Sequence, residues 1–148
     1  MSNARPTAAK QTAQTGGHRV LVVDDNPDFG ELVRRVAEKA GHTIAVTHHP
    51  DHFKTAFSDF RPDIICMDIV MPSEDGIELI RWLADQQSRA AIYIITGHSP
   101  SYARAAVEIG RSRGLDIAGV LQKPVTVATL REILSRARDG EGFAAAAN

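Results

Sequence analysis

The chain has 148 residues, 43% of them apolar and 24% charged, with a net charge of −1 and one cysteine. This is the size and composition of one globular domain with a sizeable core. It excludes a disulfide framework within the chain and a broad basic field that would hold nucleic acid through phosphates, and no apolar run is long enough to cross a bilayer.

Residues 1–17, MSNARPTAAKQTAQTGG, lack apolar periodicity and the hydrophobic core of a secretory signal. They are expected to form a flexible tail on a cytoplasmic protein. The first apolar run is RVLVVD at 19–24. A helix is predicted from Asn26 to Ala40, with Asn26 as cap, Pro27 in the first turn, Gly41 at the stop, and Phe29, Leu32, Val33, Val36 and Ala40 along one stripe. TIAVT (43–47) is the second strand, and a short helix is expected at about 51–59. DIICMD (63–68) is the third strand. The helix after it begins with Asp75 and Glu78 spaced as a capping box, and its stripe is Ile77, Ile80, Leu83 and Ala84. AIYIIT (91–96) leads to a helix from Ser99-Pro100 to about Arg113. IAGVLQ (117–122) leads to a last helix from Thr126, with Leu130, Ile133, Leu134 and Ala137 inward. Residues 139–148, with glycines and then alanines, are expected to be a second flexible tail. The domain is thus placed at 18–138.

Short strands rich in Val and Ile alternate with amphipathic helices. This pattern predicts an α/β fold, a doubly wound parallel sheet of the flavodoxin-like (βα)5 kind with strand order 2-1-3-4-5. In such sheets ligands bind beyond the carboxyl ends of the strands. Those ends carry Asp24-Asp25 on the first strand, Asp68 on the third, Thr96-Gly97 on the fourth and Lys123-Pro124 on the fifth. Strands 1, 3, 4 and 5 are neighbours in that order, so the five groups converge. Carboxylates gathered at ~4 Å repel by about 4 kcal/mol per pair at an effective dielectric of 20, so such a cluster protonates, separates or binds a cation. Oxygen donors without His or Cys select a hard divalent ion, Mg²⁺ or Mn²⁺. Lys123 and the Thr96 hydroxyl add a cation and a donor suited to phosphoryl oxygens. Asp68, central in the group, is the expected nucleophile toward phosphorus. Singly, each residue has an ordinary reading as turn, cap or packing group. Their joint placement, one group at the end of each right strand, reverses that reading.

The stretches VLVVDDNPD, Asp68-x-x-Met71-Pro72-x-x-Asp75-Gly76, Ile95-Thr96-Gly97 and Leu121-Gln122-Lys123-Pro124 resemble the receiver domain of bacterial two-component response regulators, over residues 18–138. The resemblance implies that Asp68 accepts a phosphoryl group from a phosphohistidine of a sensor histidine kinase or phosphotransfer protein. It implies that Asp25, Asp68 and the Val70 backbone carbonyl bind Mg²⁺, with Asp24 acting through water. Lys123 and Thr96 are then catalytic contacts to the phosphoryl oxygens, with the Gly97 N–H nearby, and the Lys123–Pro124 peptide is cis. It further implies a switch in which Thr96 moves toward the phosphoryl group and the fourth helix, fifth strand and fifth helix change partner preference. A homodimer through that face is one expected outcome. The output is otherwise expected to be an unidentified partner protein, because nothing after Arg138 is long enough for an output domain.

One position departs from the family. Receivers usually carry Tyr or Phe three residues before the lysine, and here Val120 stands there. A valine cannot swing between buried and exposed positions as a ring does. This motivates the alternative of a receiver-like interaction module that works without phosphorylation. A third reading, a Mg²⁺-dependent phosphatase with an aspartyl intermediate, requires a general acid two residues after the nucleophile, where Val70 stands; the chain is therefore expected to be a switch and not a turnover enzyme. Of the remaining residues, His48 and His52 are expected in a solvated loop, because Pro50 separates them and no third metal ligand is evident. His98 is expected to be an exposed loop side chain, Trp82 half-buried packing or part of a partner surface, and Cys66 a small packed group.

Overall fold

A computed structural model describes residues 17–71, 75–97 and 100–139. Five strands and five helices alternate: β1 Arg19–Val23, α1 Pro27–Lys39, β2 Thr43–Thr47, α2 Pro50–Phe60, β3 Ile64–Asp68, α3 Gly76–Asp85, β4 Ala91–Thr96, α4 Pro100–Ser112, β5 Asp116–Gln122 and α5 Val127–Asp139. All strand pairs are parallel and the sheet order is β2-β1-β3-β4-β5, the flavodoxin-like order expected from the sequence. The terminal segments expected to be tails lie almost wholly outside the described residues.

The period-2 alternation of the strands divides the core in two. Leu21, Val23, Ile65, Met67, Ile92 and Ile94 point to one face, where Phe53 of α2, Leu79, Ile80 and Leu83 of α3, and Ala103 and Ala106 of α4 cover them. Val20, Val22, Ile64, Cys66, Tyr93 and Ile95 point to the other, under Phe29, Val33 and Val36 of α1 and Leu130, Ile133 and Leu134 of α5. Every residue of β3 and β4 is buried, as expected for strands covered on both faces.

The helix starts follow from local chemistry. The Asn26 side chain accepts the Asp28 N–H at 2.9 Å ahead of Pro27 at the first helical position. α2 begins at Pro50 and not at 51, because His49 caps it by accepting the Asp51 N–H at 3.1 Å. His52 therefore lies on α2, its ring 5.8 Å from that of His49, and does not sit in a loop. In α3 the Asp75 carboxylate caps the Ile77 N–H at 2.9 Å, but Glu78 turns to Arg81 at 3.1 Å, so the expected capping box is half realised. Leu79, not Ile77, lies in the buried stripe of α3, and Ala37, not Ala40, in that of α1. Trp82 is half-buried packing: it meets Phe57 edge-on at 5.4 Å, with the Lys54 ammonium 5.8 Å above its ring. Of the predicted inward positions of α5, the Ala137 side chain lies outside the described residues, as do Ser99 at the start of α4 and His98. Among the described residues, no helix is long and apolar enough to cross a membrane.

Candidate functional site

The site is built where four parallel strands run out. β1 ends at Val23, and the next residue, Asp24, is completely buried. Its Oδ1 accepts the Asn26 N–H at 2.8 Å, turning the chain into α1. Asp25 follows on the solvent side of the same turn, exposed. β3 carries Asp68 as its last residue, 6% exposed, with Oδ1 accepting the Val70 N–H at 3.1 Å. The loop after it folds back tightly: Val70 bridges Asp75, and the Gly76 N–H donates to the Ile69 carbonyl at 3.2 Å. A Cβ on Gly76 would stand 2.2 Å from that carbonyl oxygen, so only glycine permits this close approach.

β4 and β5 bring the other two groups. Thr96 pairs with Gln122 in register, and its carbonyl accepts the Lys123 N–H at 2.9 Å. The peptide after Lys123 is cis. The Lys123 side chain reaches back across the strand ends, its Nζ 2.9 Å from Asp24 Oδ2 and 3.4 Å from Asp68 Oδ2. It passes 5.2 Å above the Phe29 ring of α1, an apolar platform with a favourable face for a cation. That contact is not legible in the sequence, where Phe29 reads as one more core residue of its helix stripe.

One carboxylate oxygen from each of Asp24, Asp25 and Asp68 lies within 4.8 Å of the others. Among the described residues, the site thus holds three acids against one lysine. Burial pushes the Asp68 carboxyl above its usual range, the Val70 N–H opposes this, Asp24 adds to it and Lys123 counters it, with a net rise. For Lys123, burial works against the charge, but the carboxylates of Asp24 and Asp68 outweigh it and hold the ammonium more firmly protonated than usual. Thr96 is 4% exposed, and its hydroxyl is buried without a hydrogen-bond partner among the described residues. A buried orphan hydroxyl is costly and marks a donor waiting for an acceptor. Val70 is nearly half exposed and offers no proton-transfer group.

Of the side chains singled out in the sequence for this site, Asp24, Asp25, Asp68 and Lys123 come together, and Thr96 ends the adjoining strand β4. What the sequence did not reveal is the pairing within it. Lys123 stands nearer to Asp24 than to Asp68, and Asp24, not Asp68, is the most enclosed of the acids. His48, expected only as a solvated loop residue, places its Nδ1 3.0 Å from the Asp24 carbonyl oxygen.

The sequence matches the response regulator receiver domain over residues 20–135. It is 32% identical over 120 residues to the response regulator MprA of Mycobacterium ulcerans, covering 81% of this chain and 48% of that protein. It is 31% identical over 119 residues to the C4-dicarboxylate transport transcriptional regulatory protein DctD of Pseudomonas aeruginosa, covering 80% of this chain and 25% of that one. The chain thus spans between a quarter and a half of the length of these relatives. Among solved structures, it superposes on the chemotaxis response regulator CheY4 of Vibrio cholerae with a TM-score of 0.69 at 24% identity, over 81% of this chain and 98% of that one. On NtrX from Brucella abortus the TM-score is 0.72 at 25% identity, over 84% of this chain and 27% of that one.

Proposed function

The chain belongs to the response regulator receiver family of two-component signalling, whose members are phosphorylated on aspartate, and from that premise we propose that Asp68 is its phosphoacceptor. The donor is a phosphohistidine on a sensor histidine kinase or a histidine phosphotransfer protein. The observation that carries this reading is the convergence of the Asp24, Asp25 and Asp68 oxygens within 4.8 Å beside Lys123. An all-oxygen donor set with surplus negative charge fits a hard divalent ion, Mg²⁺ or Mn²⁺, and fits no soft one. Asp25 and Asp68, with the Val70 carbonyl, would hold it, and Asp24 would act through water. When bound, the ion offsets the charge of the acids and of the incoming phosphoryl oxygens.

In transfer, an Asp68 carboxylate oxygen forms a bond to phosphorus as the bond from phosphorus to the histidine nitrogen breaks, and the imidazole leaves as the neutral ring after taking up a proton. Lys123 supplies positive charge to the oxygens of the moving group, and the Thr96 hydroxyl, without a partner among the described residues, supplies a donor. The aspartyl phosphate then biases the surface of α4, β5 and α5 toward a different partner or a second copy of the chain. With no acidic group at Val70 to serve a leaving alcohol, the chain acts as a switch with slow self-hydrolysis and not as a turnover enzyme.

Incubation with acetyl phosphate and Mg²⁺, followed by intact-mass measurement, tests the reading. The expected result is a gain of one phosphoryl group that is lost in Asp68→Asn and on removal of the metal. A chain left unmodified by acetyl phosphate, phosphoramidate and a phosphohistidine donor overturns it. That outcome would favour the alternative of a phosphorylation-independent interaction module, for which Val120 at the usual aromatic position is the specific motive.

A further inference from the structure

The end of β1 is tied to the end of β2 by more than the sheet. The Asp24 N–H donates to the Thr47 carbonyl at 3.2 Å, the last backbone rung between the two strands. On either side of that rung, side chains of the same segment continue the ties. The Thr47 hydroxyl donates to the Val22 carbonyl at 2.7 Å, and the His48 Nδ1 lies 3.0 Å from the Asp24 carbonyl. A carbonyl can only accept, so Nδ1 carries the proton. The Asp24 carbonyl and the Asp25 N–H belong to one rigid peptide plane. Fixing the carbonyl therefore fixes the direction in which the chain enters Asp25.

Two bonds set the backbone at Asp25: His48 holds the peptide before it, and Asp24 Oδ1 holds the Asn26 N–H of the peptide after it. Asp25 is exposed, and among the described residues its carboxylate has neither a hydrogen bond nor an ion pair. Asp24 is different: its carboxylate is held by the Asn26 N–H and by Lys123. The packing around the His48 ring is also close. A Cβ on Gly30 of α1 would stand 2.5 Å from Val46 Cγ1 and 3.4 Å from His48 Cε1, so the bare glycine lets the end of β2 and this ring lie against α1.

We propose that His48 is a positioning residue for the acidic site: its Nδ1–H, by holding the Asp24–Asp25 peptide plane, aims the Asp25 carboxylate at the divalent cation. The proposal rests on the reading of Asp25 as a metal ligand. His48 touches neither metal nor phosphoryl group. Because the ring is exposed, its bond contributes little to folding, and its effect is on direction.

Isothermal titration of the metal-free chain with Mg²⁺ provides the test, with His48→Ala, His48→Asn and Asp25→Asn beside the wild type. The Asn amide N–H takes about the place of Nδ1–H and should restore the bond. The expected result is about fivefold weaker Mg²⁺ binding in His48→Ala, within what one net hydrogen bond supplies, and recovery to within about twofold in His48→Asn. The Mg²⁺ concentration for half-maximal phosphorylation should move with the binding constant, while the rate at saturating Mg²⁺ and the melting temperature of the metal-free chain stay near wild type. Unchanged Mg²⁺ affinity in His48→Ala overturns the proposal, as does an equal loss in both His48 variants. A wild-type chain that binds no Mg²⁺, indistinguishable from Asp25→Asn, instead overturns the reading of the acidic site on which this rests.

Discussion

Lys123 Nζ stands 2.9 Å from Asp24 Oδ2, closer than its 3.4 Å approach to Asp68. Asp24 is fully buried, so this ion pair is the main compensation for a charge that has lost its water. The lysine is thus a structural counter-ion, besides the role toward phosphoryl oxygens proposed for it above. It ties the acidic loop after β1 to the turn after β5 by reaching across the ends of β3 and β4, which separate them.

Removing that lysine leaves two enclosed carboxylates facing each other. Lys123→Ala is expected to lower the unfolding free energy by about 2 kcal/mol in metal-free buffer, less than for a wholly enclosed pair because the lysine side chain is 27% exposed. Adding Asp24→Asn should return part of the loss, since the two changes act on one pair and are not additive. Urea titration in the presence of a chelator measures both. A Lys123→Ala chain as stable as the wild type would contradict the pairing.

Asp68 carries the opposite sign. Burial and the nearby Asp24 charge raise its carboxyl in the folded chain, against the pull of the Val70 N–H and Lys123. A raised folded value means that the folded state holds the proton more tightly than the unfolded one. The favourable contribution is complete below the unfolded carboxyl range, at about pH 3.9, and is lost as pH rises through the folded value. At neutral pH the ionised Asp68 is therefore a cost. Asp68→Asn should melt about 2–5 °C higher than the wild type at pH 7.5 without divalent ions, and the gap should narrow toward pH 4. Calorimetric scans across that range check the sign; a lower melting point at pH 7.5 would contradict it.

The fold was legible because its strands are apolar on both faces and its helices carry capped stripes, so the alternation itself implies the parallel sheet. The site was legible for a topological reason: once the order is fixed, whatever stands at the ends of β1, β3, β4 and β5 must meet. The side-chain contacts between distant segments were not legible. Phe29 beneath Lys123 and His48 against the Asp24 carbonyl depend on helix tilt and on the close pass allowed by Gly30, which no local pattern encodes. Pro50, read as a break between His48 and His52, does part them: it opens α2, which carries His52 and leaves His48 outside.

His42 is another such residue. It is 4% exposed, directly after the turn that closes α1. Its Nδ1 accepts the His18 N–H at 2.9 Å, and its Nε2 lies 3.2 Å from the Leu134 carbonyl of α5. The ring is thus held as the neutral Nε2–H form and joins the start of β1 to α5. His42→Ala leaves a void and an unpaired amide, and should cost about 2–3 kcal/mol in urea unfolding. A loss below about 0.5 kcal/mol would place the ring outside the folding core.

Cys66 lies in β3 with no exposed surface, and burial pushes its thiol up to about 12. At pH 8 that leaves on the order of a thousandfold fewer thiolates than an ordinary cysteine provides. The native chain should therefore react with a disulfide reagent only as fast as it unfolds, and promptly in urea. Rapid native labelling that is independent of denaturant would contradict the packing of β3.

Val120 stands 44% exposed beside a groove of about 320 Å³ between α4 and β5, lined also by Thr96, Pro100, Ala103, Arg104, Val107 and Gln122. A valine this exposed contributes little, so Val120→Ala should change stability by less than about 0.5 kcal/mol. Val120→Phe supplies a ring to a space lined largely by apolar groups. Burying about half of it should add about 0.5–1 kcal/mol, read as a melting point about 2–4 °C higher. The two changes together separate an open groove from a closed one. If Val120→Phe lowers the melting point, the space cannot take a ring and the walls formed by α4 must move first. If Val120→Ala costs more than about 1.5 kcal/mol, the valine is already a packed residue and the groove is filled by the chain itself.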